Sequence, residues 1–365
     1  MSGMNEEKSK LSILLAQFGR QEFSNRFLYY LKSTSCKFPI IYADGDVDGF
    51  SANLIEKYKD SLDIKLIENK QTVKFKDYFT MMVRGLSAVE TEYVMLCDND
   101  DFIIYSSINK LIHFLDNNAD YISAGSPITE IQLDNYSTSC YGKYSSLTSH
   151  YKHYRDQEPL LSWNDQVEKT FLNFQPNFYH IFRKDILLKI WMEILELDFS
   201  DLTIMEFYYQ LRAPTFGKQF SDPSMTHYIR QSGTGSWESK TYDFSKELVY
   251  NNLPSDIRKL ANKISIIFNE EFKTNQQDIY HSILDNYSKH LNNYLPHNVL
   301  RYRWPKLFKF KTFLLKCLRR LKPIINLIYY LREKKILILY KKTKPNSYLL
   351  FLDEIKTIKK VIQNS

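Results

Sequence analysis

The chain has 365 residues, 44% hydrophobic and 15% aromatic, with only 10 glycines and 11 prolines. That length and apolar content suit one large domain with an appendage, or two domains, and exclude a mostly disordered or repetitive chain. The net charge of +7 hides an asymmetry: residues 301–365 hold 18 Lys/Arg against 3 acids, which leaves the first 300 residues at −8.

Four widely separated cysteines (Cys36, Cys97, Cys140, Cys317) form no zinc-type spacing. The polar opening from Met1 to Lys8 has no apolar leader core, and no uncharged run approaches a membrane span. These features predict a reducing, cytoplasmic setting.

In chain order, Leu11–Phe18 reads as a strand, followed by a helix through Phe27, Leu28 and Leu31. Pro39–Ala43 is a second strand, ending in Asp44-Gly45-Asp46-Val47-Asp48-Gly49. Asn53–Lys59 reads as helix and Asp63–Glu68 as a third strand. Phe75, Phe79, Met82, Val83 and Leu86 share one helical face. Glu92–Cys97 is a buried strand, closed by Asp98-Asn99-Asp100-Asp101. Short apolar strands alternating with amphipathic helices predict an α/β fold with a mostly parallel sheet, whose ligands sit at the carboxyl ends of the strands. Both acidic clusters fall at such ends.

From Ser123 to about Phe174 the periodicity fades, which predicts long loops over a binding face. Tyr141–Tyr154, rich in Tyr and His, offers aromatic platforms on that face. Structure should resume at 178–182, with helices at 184–196 and 201–212, a strand pair at 216–221 and 225–230, and helices over 245–295.

A divalent cation takes oxygen ligands from one or two carboxylates and leaves positions for phosphate oxygens. Asp98-x-Asp100, in the turn after a buried strand, has the spacing for that task. The alternative is an ordinary strand-ending turn, although three acids in four residues repel unless a cation joins them. Asp44-x-Asp46-x-Asp48-Gly49 superficially matches a calcium loop, but Ile55 stands where the bidentate Glu belongs. Asp44 remains as a partner for a nucleotide's base or ribose, or as a capped turn.

Over residues 10–235 this pattern resembles the family 2-like, GT-A glycosyltransferases of bacterial surface-polysaccharide pathways. Ser12–Arg20 is similar to the family's first βα unit, Ile41–Gly45 to its nucleotide-contacting acidic position, and Glu92–Asp101 to the segment entering its DXD motif. The resemblance implies that Asp98 and Asp100 hold Mn2+ or Mg2+, and that Asp44, Asp98, Asn99 and Arg230 contact the donor nucleotide. His227, in Met225–Gln231, is then placed against the metal or diphosphate. It also implies a carboxylate base about ten residues before a glycine: Glu206 precedes Gly217 by 11 residues and Asp201 by 16, so Glu206 is first choice and Asp201 second. Met205 stands where the family has the other acid of a pair. The implied reaction is inverting transfer of a sugar from a nucleotide-sugar donor to a glycan or lipid-linked acceptor, in the synthesis of lipopolysaccharide O-antigen or capsule.

The expected division is a catalytic domain over 1–240, a helical segment over 241–296 and a basic amphipathic extension over 297–365. Within 301–344, Lys and Arg interleave with Trp304, Phe308, Phe310, Phe313 and several Leu. That pattern predicts an interfacial helix on an anionic membrane, peripheral on the cytoplasmic face. The alternative is a subdomain packed on the catalytic domain. No nucleic-acid recognition motif accompanies the charge. Two other functions stay open: a sugar-nucleotide pyrophosphorylase, for which Gln17–Gln21 supplies too few glycines, and a non-catalytic adaptor.

Overall fold

The computed structural model describes residues 9–46, 49–69, 72, 74–133, 139–149, 162–172, 174, 177–231, 255–303, 322–343 and 345–363. A seven-stranded sheet carries the molecule. Its order is β10 (Lys218–Ser221), β6 (Tyr121–Gly125), β9 (Ile181–Arg183), β4 (Tyr93–Asp98), β1 (Leu11–Gln17), β2 (Ile40–Asp44) and β3 (Ile64–Glu68). All neighbours are parallel except β9, which runs antiparallel between β4 and β6. The mostly parallel α/β sheet expected from the sequence is the one observed.

Successive residues of the central strands face opposite layers, as the strand period requires. Leu11, Ile13, Leu15, Ile40, Tyr42, Tyr93, Met95 and Cys97 enter one core. Leu14, Ile41, Ala43, Val94 and Leu96 enter the other. On the first face lie α1 (Gln21–Ser33) and α4 (Tyr105–Asn117), while α2 (Phe50–Tyr58) reaches the same core through Leu54 and Tyr58. On the second lie α3 (Phe75–Ser87), α5 (Trp163–Leu172), α6 (Lys184–Leu197), α7 (Leu202–Arg212), α8 (Ser255–Phe272) and α9 (Gln276–Arg303). Gly85 lets α3 approach closely, because a Cβ there would meet Leu14 Cδ1 at 2.6 Å.

A second sheet, in the order β5 (Phe102–Ile103), β11 (Tyr228–Gln231), β7 (Thr129–Leu133) and β8 (Tyr144–Ser149), stands beside the first. Part of the stretch expected to be loop is therefore strand, and α5 occupies its far end. The expected pairing of 216–221 with 225–230 does not occur. β10 joins β6 in the large sheet, whereas β11 joins β5 and β7 in the small one. Residues 222–227 carry the chain between sheets, with Asp222 accepting from the Ser224 amide at 2.8 Å. Residues 150–161, which include part of the expected aromatic platform, lie outside the described residues. Tyr144 of that platform packs inward, with Lys359 Nζ 4.1 Å over its ring.

The C-terminal helices are α10 (Lys322–Thr343) and α11 (Pro345–Gln363). Proline at the first position of α11 suits a helix start, where its missing N–H goes unneeded. Phe351, Ile355, Ile358 and Ile362 recur at spacings of four, three and four, and all are buried in the core of α1, α4, β1 and β4. Each such side chain contributes about 1.5–3 kcal/mol. Glu354 of α11 accepts from the Ser106 amide (3.1 Å) and hydroxyl (2.5 Å) in the first turn of α4. This part of the basic extension is packed on the sheet domain. Residues 304–321, with Trp304, Phe308, Phe310 and Phe313, lie outside the described residues. Among the described residues, no helix is long and apolar enough to cross a membrane.

Candidate active site at the carboxyl end of the large sheet

The ends of β1, β2 and β4 meet through one side chain. Gln17, fully buried, donates to the Gly19 carbonyl (2.8 Å) and to Asp46 (3.2 Å), and accepts from Ser24 and from Asn99 Nδ2 (3.0 Å). Asp46 also accepts from the Gly19 amide at 2.8 Å. Asp44, 5% exposed at the last position of β2, accepts from the Asp46 amide at 3.1 Å. Asp44 and the DXD turn thus occupy neighbouring strand ends, on either side of β1.

Asp98, Asp100 and Asp101 place carboxylate oxygens within 4.8 Å of one another, the kind of donor set that suits a hard divalent cation. Their surroundings divide the work. Asp101 is clamped by the Tyr228 hydroxyl (2.7 Å) and the Gln231 amide (2.9 Å), fastening the end of β4 to β11. Asp98 accepts from the Tyr179 hydroxyl at 2.5 Å, and its amide donates to Tyr228 at 3.1 Å. Asp100 forms an ion pair with Arg20 at 2.5 Å. Burial, and next the charge of Asp100, raises both the Asp98 and Asp101 carboxyls, Asp101 strongly.

Arg230, on β11, faces this group. Burial alone would lower its guanidinium, but Tyr179 and all three carboxylates outweigh that and hold it above its usual value. Glu206, near the start of α7, is also within electrostatic reach of Arg230 and Asp98. Burial, opposed by Arg230 and reinforced by Asp98 and Asp201, pushes its carboxyl up to about 7. It borders a hollow with Phe174, Asn177, Phe178, Tyr209 and Gln210. A half-buried carboxylate poised near neutrality, beside a cation-type donor set, can accept a proton from a hydroxyl.

Two expected roles, those of Asn99 and His227, are corrected, and Asp201 has a structural task as well. Asn99 turns away from the site: its amide donates to Gln17 Oε1 and Ser24 Oγ (both 3.0 Å) and to the Gly19 and Arg20 carbonyls (both 3.4 Å), so it pins the β1–α1 loop instead of reaching for a nucleotide. His227 is fully buried, with Nδ1 on Ser126 Oγ (2.7 Å) and Nε2 on the Tyr179 carbonyl (2.9 Å). A carbonyl only accepts, so Nε2 carries the proton and no lone pair is left for a metal. Burial pushes this imidazole down to about 4 and keeps it neutral. Asp201 is the N-cap of α7, accepting from the Thr203 (2.7 Å) and Ile204 (3.4 Å) amides, which commits one oxygen to the helix end.

Sequence reasoning passed over Tyr179, Tyr228 and the role of Arg20. The two tyrosines, one just before β9 and one at the start of β11, stack at 4.1 Å, a contact between residues 49 apart in the chain. No local period signals it. Asp101 was visible only as the fourth residue of an acidic turn.

No protein-family model and no curated protein matches the chain. Among solved structures it is similar to Staphylococcus aureus TarS 1–349 in complex with UDP-GlcNAc, with a TM-score of 0.53 at 13% identity over 97% of this chain and 90% of that one. A second structure of TarS 1–349 gives 0.48 at 14% identity, over 97% and 90%. Against the longer TarS chain the score is 0.48 at 13% identity, and this chain spans 55% of that length. The fold is thus a GT-A-type α/β fold with a C-terminal helical region.

Proposed function

We propose that this chain is a glycosyltransferase taking a sugar from a nucleoside-diphosphate donor. The observation that carries the reading is the convergence of Asp98, Asp100, Arg230 and Glu206 at the carboxyl end of a GT-A-type sheet. The shared fold with a protein solved with UDP-GlcNAc makes that compound the first donor to try.

In this reading Asp98 and Asp100 hold Mn2+ or Mg2+, and Asp101 keeps them in place from behind. The bound cation would offset the charge of the departing nucleoside diphosphate. Arg230 contributes positive charge to the same region. Glu206 takes the acceptor hydroxyl's proton as that oxygen attacks the anomeric carbon, which inverts the centre. Asp44, at the end of β2, receives the base or ribose.

The proposed acceptor is a glycan or lipid-linked saccharide of a surface-polysaccharide pathway, and the proposed location is the cytoplasmic face of a membrane. Support for the membrane comes from the described part of the basic extension: exposed Tyr330, Leu331 and Ile338 on α10 alternate with Lys334, Lys335, Lys341 and Lys342. The deciding experiment is calorimetric titration of UDP and UDP-GlcNAc with and without Mn2+, followed by assay of UDP release. Metal-dependent UDP binding supports the reading; no nucleotide binding under either condition removes it.

A further inference from the structure

The loop after β1 contains two consecutive residues in the left-handed region, Gly19 (φ 61°) and Arg20 (φ 53°). Glycine tolerates this conformation; arginine rarely adopts it, and it persists only where the surroundings impose it. Here Asp46 holds the Gly19 amide while Gln17 and Asn99 hold the Gly19 and Arg20 carbonyls, so the loop is clamped on both sides. The result is an arginine side chain delivered into the acidic corner. Arg20 Nη2 lies 2.5 Å from Asp100 Oδ2, with the guanidinium 4.8 Å over the Phe23 ring. Its Nη1 is buried without a hydrogen-bond partner. A guanidinium offers a fork of parallel donors, and half of this fork is unused.

The charges explain why such an arrangement is useful. Before ligand enters, Arg20 and Arg230 offset the mutual repulsion of three carboxylates. A divalent cation on Asp98 and Asp100 would meet the guanidinium at the same carboxylate, and two cations cannot share it without strong repulsion. A diphosphate arriving with the cation brings a new negative group that matches the fork.

We propose that Arg20 is an exchange arm of the donor site. It neutralises Asp100 until a divalent cation takes that carboxylate, and then passes its guanidinium to the donor's diphosphate. This rests on the donor-site reading above. It makes Arg20 a binding residue that opposes metal alone and favours metal with diphosphate.

The test uses the full chain and its Arg20→Ala, Arg20→Gln and Arg20→Lys variants. Two quantities are measured: affinity for Mn2+ without nucleotide, and affinity for UDP at saturating Mn2+. Removal of the competing charge should tighten Mn2+ binding by Arg20→Ala roughly 5-fold or more. Loss of the fork should weaken UDP binding about tenfold or more, while uridine, which has no phosphate, changes little. Arg20→Lys keeps the charge, so it should bind Mn2+ as wild type does and recover only part of the UDP affinity. Arg20→Gln, which preserves bulk over Phe23, should follow Arg20→Ala and guards against a folding artefact. Unchanged or weaker Mn2+ binding in both neutral variants overturns the proposal, as does unchanged UDP affinity. If wild type binds Mn2+ but no UDP, the donor reading falls while the Mn2+ comparison still judges the competition with Asp100.

Discussion

Residues 11–101 and residues 322–363 contribute to the same core by opposite routes. In the first region the central strands β1, β2 and β4 are mostly apolar and buried, the edge strand β3 alternates, and each helix has one apolar face, so burial follows from local pattern. In the second, basic residues far outnumber acidic ones, yet α11 buries Phe351, Ile355, Ile358 and Ile362 in the core that it shares with α1 and α4. A helix with a narrow apolar stripe and charged flanks suits a membrane surface or a protein core equally well. Which of them it covers depends on what the rest of the chain leaves exposed.

That comparison is most severely tested by removing residues 345–363. Stripping α11 should leave the chain insoluble or without a cooperative thermal transition, because the apolar surface of α1 and α4 that it covers would be open. A truncated protein melting within a few degrees of the full chain would show that the extension is dispensable. Ile358→Ala, fully buried, is the milder form and should cost about 2–5 kcal/mol in denaturant unfolding.

The acidic corner should behave in the opposite way, losing function and keeping the fold. Asp100→Ala relieves carboxylate repulsion but leaves Arg20 without its ion-pair partner, so the chain should stay folded with a modestly lowered melting temperature. Sugar transfer should fall on the order of 10³-fold or more, since a donor to the metal is gone. A variant with near-normal turnover after chelation would refute the metal assignment.

Glu206→Gln should lower turnover roughly 10²–10⁴-fold with little effect on UDP affinity. In wild type the rate should rise with pH through an apparent value near 7, as the base loses its proton. The stability effect has the reverse sign. This carboxyl titrates at about 7 in the fold against an ordinary 4.5, so the folded state favours its neutral form. Its contribution is present below pH 4.5 and is lost as pH rises through 7. Glu206→Gln should therefore melt above wild type in alkaline buffer and match it in acid. Equal melting differences at both would place the carboxylate in water.

The smallest effect belongs to the outer face of the extension. Leu349 and Leu350 are exposed on α11, so Leu349→Ser should shift stability by less than about 0.5 kcal/mol. Co-sedimentation with anionic vesicles should nonetheless weaken, and salt should release much of the bound protein. Unaltered vesicle binding would leave this face without a part in membrane association.

Local periodicity by itself determined most of the large sheet, because strands buried on both faces and one-sided helices are written in consecutive residues. It also located Asp98 and Asp100 at a strand end, where a parallel sheet presents its ligands. The tertiary structure alone decided what the polar side chains near them do. Asn99, adjacent in sequence to both, points at Gln17 and Ser24. His227 spends both ring nitrogens on Ser126 and Tyr179. Asp101 is fastened by Tyr228 and Gln231, 127 and 130 residues away. A short polar side chain takes whichever partner the fold brings within 3 Å or so. Those partners come from β1, α1, β11, the residue after β6 and the turn before β9, whose proximity exists only once both sheets are assembled.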